Sequence, residues 1–403
     1  MIQRPRRYCA GGCSRMLKLS SRQLRVLSAP EAEPFVVRLT SNVRLPLPVR
    51  STEALLVDSP LSLPPGFRAY LLRDQPRSET ALPPNCYALP ESLAYLRDGD
   101  VIRISPSRGA LAVLYRQASP SNSLLVTERC NHLCLMCSQP PKEADDGYLV
   151  DELLQAIPLF DPATKEVGIT GGEPTLLGPR LLELLATLRS YLPRTAVHLL
   201  SNGRRFADDG YTAALAALQH PDLMIGIPIY ADISDVHDYV VQANGAFDET
   251  IRGILNLKRA GIRVEIRFVI HRDTYERLPQ FAEFVARNLV FVDHVALMGL
   301  EPIGFAKMNA ARLWIDPLEY QVQLGEAAHT LARAGVTVSI YNHQLCVLDR
   351  ALWPFARQSI SDWKNEYLPQ CADCAARHQC GGFFSSGMAM HSAHIRPIAR
   401  EPS

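Results

Sequence analysis

Residues 124–142 read LLVTERCNHLCLMCSQPPK, a short apolar run followed by three closely spaced cysteines. Cys130, Cys134 and Cys137 form a C-x3-C-x2-C pattern, so three thiols fall within eight residues. Clustered cysteines in a cytosolic protein are more typical of metal binding or chemistry than of structural disulfides. A structural zinc site needs four protein ligands, of which His132 could be one. A [4Fe–4S] cluster held by only three cysteines keeps one iron free to bind another molecule.

The chain around this pattern alternates between strand-like and helix-like runs. Runs that are almost wholly apolar indicate strands buried on both faces, and spacers of helical length indicate crossover helices. The expected strands are residues 124–127, 166–170, 196–200, 223–230, 263–270, 293–298 and 337–341. The expected helices are residues 150–159, 180–191, 211–218, 247–260, 278–288 and 318–334. This pattern predicts an α/β fold, a partial (β/α)6 TIM-like barrel with its chemistry at the carboxyl ends of the strands.

Changes in amino-acid composition divide the rest of the chain into three further parts. Residues 1–30 contain seven Arg or Lys and no acidic residue, and we expect a disordered basic head there. Residues 31–122 are Pro-rich with short β-rich runs, which predicts a small β domain. The barrel is expected over residues 123–342. Residues 343–390 lose the alternation and form a cysteine-rich auxiliary region.

The overall composition argues against some functions. The chain has 403 residues, is 47% hydrophobic and carries a formal net charge of +1. This neutral balance gives no electrostatic reason to expect nucleic-acid binding. No apolar run approaches the roughly 20 residues that a membrane-spanning helix needs. We therefore expect a cytoplasmic protein that binds neither a membrane nor nucleic acid.

Polar motifs follow several of the predicted strands, at the edge where the cysteine loop also lies. GITGGEP (168–174) ends the second strand, and glycines there allow another backbone to approach closely. HLLSNG (198–203), GIPIYAD (226–232) and EIRFVIHRD (265–273) end the next three strands. A carboxylate at Glu173 can accept hydrogen bonds from a cationic group. Together these motifs predict a ligand site beside the three cysteines.

The cysteine spacing and these strand ends resemble the radical S-adenosylmethionine (SAM) enzymes. The resemblance implies that Cys130, Cys134 and Cys137 hold a [4Fe–4S] cluster whose open iron binds SAM. It implies reductive cleavage of SAM to a 5′-deoxyadenosyl radical, so no side chain is assigned as the hydrogen abstractor. Met136 stands where the family usually has an aromatic residue. The residues that the resemblance places near SAM are Met136, Ser138, Gly171, Gly172, Glu173, Pro174, Ser201, Asn202, Tyr230 and Arg267.

Four further cysteines lie in the C-terminal region. Cys371, Cys374 and Cys380 form a C-x2-C-x5-C pattern, and Cys346 lies 25 positions before the first of them. Four thiolates are a closed set, as in structural zinc or a fully ligated Fe–S cluster. The spacing resembles part of the SPASM extension of radical SAM peptide maturases, or its shorter twitch form, although Phe384 stands where SPASM continues with a cysteine. The resemblance implies one auxiliary [4Fe–4S] cluster for electron transfer or substrate binding, with zinc as the alternative.

Nearly the whole chain is similar to a narrower group, the radical SAM maturases encoded with His-Xaa-Ser repeat peptides (the HxsC type). The cysteine loop, the segment SDWKNEYLPQCADCAARHQCGGFFSS (361–386) and the Pro-rich region before residue 123 carry this similarity. It implies post-translational modification of a peptide, beside a second radical SAM maturase and a flavodoxin- or ferredoxin-type electron donor. The alternatives are a radical SAM enzyme acting on a small molecule or RNA, and a non-catalytic Fe–S or zinc scaffold.

Overall fold

The computed structural model describes residues 17–58, 63–74, 81–359 and 366–399. Of the predicted basic head, residues 1–16 lie outside these ranges, and Cys9 and Cys13 lie outside with them. The described residues contain two β-sheets, one on each side of residue 121. In this part of the chain no helix has the length and apolar character to cross a membrane.

The first sheet belongs to the Pro-rich region. Its strands are β1 (Ser20–Ser21), β2 (Arg25–Val26), β3 (Phe35–Thr40), β4 (Glu53–Val57), β5 (Ala69–Leu72), β6 (Cys86–Ala88), β7 (Val101–Ser105) and β8 (Ala110–Tyr115), with a short helix α1 (Leu47–Arg50). They lie in the order β1-β8-β7-β3-β4-β5-β6-β2, and β3 to β6 run parallel. Tyr115 at the end of β8 stacks on Phe160 at 4.3 Å between ring centroids, which joins this sheet to the core of the second.

The second sheet consists of seven parallel strands in sequence order. They are β9 (Asn122–Leu125), β10 (Glu166–Thr170), β11 (Ala196–Leu200), β12 (Leu223–Pro228), β13 (Arg263–Ile270), β14 (His294–Gly299) and β15 (Val338–Tyr341). Strands β9 and β15 form its two edges in the described part of the chain. The seven predicted strands all begin and end within two residues of the observed ones. The prediction of an α/β fold with a parallel sheet is therefore confirmed.

Helices connect these strands, and the longer ones pack on one face of the sheet. They are α2 (Tyr148–Ala156), α3 (Pro179–Tyr191), α4 (Asp209–Ala217), α5 (Ser234–Val241), α6 (Ala246–Arg259), α7 (Leu278–Asn288), α8 (Phe305–Met308), α9 (Ala310–Leu313) and α10 (Gln321–Arg333). The sequence pattern predicts six of them. It misses α5, α8 and α9, which span only one or two turns and are too short to show a periodicity.

The two faces of the second sheet differ in character. Alternate strand residues such as Ile169, Leu199 and Ile266 are fully buried in the core that the helices share. Side chains at the intervening positions point to the opposite side of a strand. We call that opposite side the interior face. The cysteine loop and the motifs after β10, β11 and β12 all follow carboxyl ends of strands, so they meet at one edge of the sheet.

Candidate active site at the carboxyl ends of the strands

The cysteine loop is held by hydrogen bonds from two sides. The amides of Leu133 and Leu135 donate to the last carbonyl groups of α5, at 3.1 and 3.0 Å. Carbonyl groups at a helix end have no partner within the helix, so the loop satisfies them. On the other side, the amide of Phe305 donates to the Cys137 carbonyl at 2.8 Å, and the Asn309 side chain donates to the Leu135 carbonyl at 2.7 Å. The protein therefore fixes the backbone of the three cysteines itself.

Gly171 and Gly172 let this loop lie directly against the end of β10. The amide of Gly172 donates to the Thr127 carbonyl at 2.9 Å, and the amide of Glu173 donates to the Arg129 carbonyl at 2.8 Å. A Cβ atom on Gly172 would lie 2.2 Å from the Arg129 carbonyl oxygen, and one on Gly171 would lie 2.5 Å from that of Thr127. No side-chain carbon tolerates such a distance, so only glycine permits this contact.

Glu173 is a buried carboxylate that the next strand end helps to hold. Its Oε1 accepts hydrogen bonds from the Thr175 amide (2.9 Å), the Thr175 hydroxyl (2.6 Å) and the Ser201 hydroxyl (2.8 Å), and its Oε2 accepts one from the Asn202 amide at 2.6 Å. Burial raises the pKa of Glu173, and the hydrogen bonds that counter this rise come from neutral groups. A cation at Oε2 would lower that pKa and stabilise the charged form.

The three thiols provide a soft donor set beside this carboxylate. Burial raises the pKa of Cys130 to about 11 and also raises the pKa values of Cys134 and Cys137, so the thiols must release protons to bind a metal. Buried His132, whose pKa burial lowers to about 3, has an Nε2 atom without a hydrogen-bond partner in the described chain. No group of three or more His, Cys, Asp or Glu side chains in the described ranges could enclose a single metal ion. Thiolates on one loop suit an iron–sulfur cluster, and Glu173 suits a cationic ligand next to it.

The other residues that were predicted to lie near SAM occupy separate places in the structure. Met136 is only 5% exposed and packs with Tyr230 in an apolar group beneath the loop. Burial raises the pKa of the Tyr230 phenol, and the nearby Cys134 adds to the rise. Ser138 is exposed after the loop, and Pro174 is buried at the start of a short 3₁₀ helix. The structure thus brings together Glu173, Ser201 and Asn202 on one side of the loop and Met136 and Tyr230 on another.

Arg267 lies deeper, on the interior face of β13. Its Nη1 atom is 3.2 Å from Oε1 of Glu265, whose Oε2 is 2.7 Å from Nδ1 of His294. His198 Nε2 lies 3.5 Å from the same Oε1. Although burial raises the pKa of Glu265, the nearby imidazoles of His198 and His294 and the charge of Arg267 hold it well below its usual range. Arg267 was predicted as a site residue from the sequence, whereas Glu265, His294 and His198 were not, although the alternation of Glu265 and Arg267 along one strand places these two on the same face.

The four C-terminal cysteines line one cavity. They are Cys346, Cys371, Cys374 and Cys380, and all are free thiols. The other lining residues are mainly apolar, such as Leu345, Phe383 and Ile395, but they also include Gln344, Tyr367, Arg377 and Arg396. The amide of Ile398 donates to the Cys374 sulfur at 3.3 Å, and that of Arg396 donates to the Cys346 sulfur. Hydrogen bonds to thiolate sulfurs tune the potential of an iron–sulfur cluster, so this cavity suits one with four protein ligands.

A sequence-family comparison covers the part of the chain that carries the first site. Residues 124–285 match the sequence model of the Radical SAM superfamily. Similar solved structures include a radical SAM methyltransferase from Sphaerobacter thermophilus, 15% identical, with a TM-score of 0.40 over 62% of this chain and 70% of that one. Another is anSMEcpe with bound AdoMet and Cp18Cys peptide, 16% identical, with a TM-score of 0.42 over 54% of this chain and 62% of that one.

A third is coproporphyrinogen III oxidase from Escherichia coli, described as a radical SAM enzyme, 16% identical, with a TM-score of 0.42 over 55% of this chain and 54% of that one. The chain thus spans less than two thirds of the length of the last two proteins. The family match covers the cysteine loop and the buried carboxylate of Glu173. Residues 124–285 are therefore a radical SAM superfamily domain.

Proposed function

We propose that this protein is a radical SAM enzyme that modifies a peptide, with the His-Xaa-Ser repeat peptides as the substrate class. The observation that carries the first half of the proposal is the pairing of three loop thiols with a buried carboxylate. The backbone of Gly172 and Glu173 is hydrogen bonded directly to the cysteine loop, so the two halves of the site cannot separate. The carboxylate of Glu173 has neutral donors around it and is positioned for a cationic group of a ligand.

Each residue of the first site then has a defined task. Cys130, Cys134 and Cys137 would hold a [4Fe–4S] cluster, which supplies one electron for reductive cleavage of SAM. Glu173 would accept hydrogen bonds from the SAM ammonium group, and Ser201 and Asn202 keep its carboxylate in place. The residues around the cysteine loop exclude water, which protects a reactive intermediate from side reactions.

The peptide substrate is supported by the similarity of the whole chain to the HxsC type and by the second cysteine site. Cys346, Cys371, Cys374 and Cys380 would hold an auxiliary [4Fe–4S] cluster without an open iron, which suits electron transfer. A second radical SAM maturase and a flavodoxin- or ferredoxin-type donor complete the proposal, together with a cytoplasmic location. A small-molecule or RNA substrate and a non-catalytic scaffold are the competing functions.

Anaerobic reconstitution of the purified protein tests the first half. We expect about eight irons per chain from two four-iron clusters, and release of 5′-deoxyadenosine from SAM after reduction. Zinc with little iron, or iron without SAM cleavage, would favour the scaffold. Coexpression with a His-Xaa-Ser repeat peptide and the second maturase tests the substrate. A mass change in the peptide that requires this protein supports it, and identical spectra with and without this protein contradict it.

A further inference from the structure

A chain of hydrogen bonds crosses the interior face of the second sheet on three adjacent strands. The Oε2 atom of Glu265 on β13 is 2.7 Å from Nδ1 of His294 on β14. The Nε2 atom of His294 is 2.9 Å from Oγ of Ser339 on β15. Tyr341 lies two residues farther along the same strand and on the same face, and its ring stands edge-on to the His294 ring with 6.5 Å between the centroids. A carboxylate, an imidazole and a hydroxyl in this order form the arrangement with which proteins move a proton from a hydroxyl to a histidine.

The fold leaves space for this chain of hydrogen bonds by placing a glycine on the neighbouring strand. Gly226 on β12 lies between the strands that carry His198 and Arg267, and a Cβ atom there would come within 2.9 Å of His198 Nε2 and 3.3 Å of Arg267 Cδ. Buried ionic groups are often no more stabilising than apolar side chains of the same volume. Glu265 is a carboxylate with a strongly lowered pKa and specific charged neighbours, which suggests a functional role.

One end of the chain reaches toward the candidate active site. Tyr341 is the last residue of β15 and is partly exposed, whereas Ser339 is buried. In the sheet register Tyr341 stands beside Met298, and Met298 stands beside Val269. Val269 packs against the apolar group of Met136 and Tyr230 under the cysteine loop. The accessible phenol thus lies in the layer of the sheet nearest the cysteines, and the carboxylate lies at the buried end.

We propose that Tyr341, Ser339 and His294 form a relay that accepts a proton from the bound peptide during its modification. This inference rests on the proposed function, because it assigns the relay to a peptide substrate. A proton leaves an O–H or N–H group of the peptide for the phenolic oxygen of Tyr341. The phenolic proton passes to Ser339 Oγ, and the serine proton passes to His294 Nε2. The peptide loses one proton, the imidazole gains one, no electron moves, and the Glu265 carboxylate balances the imidazolium charge.

Charged and polar groups from three strands face the relay on the interior face. Glu265 on β13 contacts the His294 imidazole directly, and Arg267 on β13 and His198 on β11 contact Glu265 in turn. The Tyr341 ring on β15 stands edge-on to the imidazole. Glu265 is therefore the charged group in direct contact with His294.

Three single variants test the relay in the reconstituted full-length protein. We expect Tyr341→Phe, Ser339→Ala and His294→Gln each to lower kcat for peptide modification about 100-fold, the usual contribution of a positioned acid or base. Ser339→Thr retains the hydroxyl and is expected to restore most of the rate. The matched control is Ser123→Ala on β9, because the Ser123 hydroxyl has no hydrogen-bond partner among the described residues. Thermal unfolding of each variant separates a lost relay from a lost fold.

Peptide product and 5′-deoxyadenosine are measured in the same samples. Variants that modify the peptide within twofold of the unaltered protein would overturn the relay. Variants that change KM and leave kcat unchanged would also overturn the relay, because the relay acts after the peptide has bound. An unaltered protein that cleaves SAM without changing the peptide would refute the peptide substrate and the relay with it. One that does not cleave SAM would refute the proposed function at its first step.

Discussion

The two cysteine sites differ in how the chain assembles them. Cys130, Cys134 and Cys137 share one short loop, whose backbone is fixed by α5, by the start of α8 and by the glycines after β10. The four C-terminal cysteines come from segments up to 34 residues apart (346 to 380) and meet around an apolar cavity. The first site has three thiols and a buried carboxylate that accepts hydrogen bonds from neutral groups. The second has four thiols and mainly apolar neighbours.

This difference indicates how each site would be used. A centre with three protein ligands needs a fourth from outside the chain, so it can bind a substrate or cofactor directly. A centre with four protein ligands is complete, and an apolar shell with N–H donors to sulfur mainly sets its reduction potential. Disabling one site at a time tests whether the centre with three protein ligands and the centre with four have these different roles.

The largest effect is expected at the first site. Replacing Cys134, the most buried of the three thiols, by alanine should abolish 5′-deoxyadenosine formation, because two cysteines cannot hold the cluster. The matched control is Cys86→Ala, which removes a buried thiol from the first sheet. The control should keep both iron content and SAM cleavage. SAM cleavage by the Cys134→Ala protein would remove the loop from the mechanism.

Disabling the second site should separate SAM cleavage from peptide modification. Cys374→Ala is expected to reduce bound iron by about half, to roughly four per chain, and to spare SAM cleavage. Peptide modification should be lost, since the electron acceptor or donor is missing. Iron analysis, 5′-deoxyadenosine and peptide mass report the three results. Loss of all iron would show instead that the second site is required for the whole fold, and the contrast between an open and a closed centre would fail.

A backbone change tests how the first site is built. Gly172→Ala forces a carbon into the Arg129 carbonyl, so the cysteine loop must move away from β10. We expect a loss of about 3 kcal/mol in the free energy of unfolding and incomplete cluster incorporation at the first site only. Gly325→Ala in helix α10 is the control, because a Cβ there meets only van der Waals contacts and alanine favours a helix. Equal unfolding curves for the two variants would contradict the close contact.

Sequence patterns predicted the strands of the second sheet more completely than the side-chain contacts on its interior face. The seven strands were found because their apolar runs are long and separated by helical spacers. Glu173 could be predicted as a site residue because GITGGEP is a local motif. The chain from Glu265 through His294 to Ser339 was missed, since its members lie 29 and 45 residues apart and meet only through the sheet register. The place of Met136 beneath the loop was missed for the same reason, because packing between distant segments decides it.

The charge of Glu173 should matter less than the thiols. Glu173→Gln removes the negative charge, so SAM is expected to bind about 10-fold more weakly, as for the loss of one charged hydrogen bond. Binding to the reconstituted protein is measured by equilibrium dialysis with labelled SAM. Glu166→Gln, at the partly buried start of β10 and so at the opposite edge of the sheet, is the charge-matched control. Unchanged affinity in the Glu173→Gln protein would show that another group receives the SAM ammonium.

The smallest effect concerns the segment that leads from the sheet to the second cysteine site. His343 is fully buried between the Tyr320 hydroxyl (2.8 Å) and the Tyr341 carbonyl (2.8 Å), and burial lowers its pKa from 6.5 to about 4. The unfolded chain therefore takes up a proton below pH 6.5 while the folded protein does not. Stability from this group is complete above pH 6.5 and is lost as the pH falls toward 4. Between pH 6.5 and 5.5 the loss is about 1 kcal/mol.

Urea unfolding at these two pH values measures the loss, and His343→Gln should remove this part of it. The same change at exposed His329 should leave the pH dependence as it is. If the second site docks through His343, mild acid should also weaken the Cys346 segment before it affects the loop of the first site, which hydrogen exchange can resolve. Equal acid sensitivity of the two sites would mean that they are parts of one cooperative unit, and that the first site depends on the second for its stability.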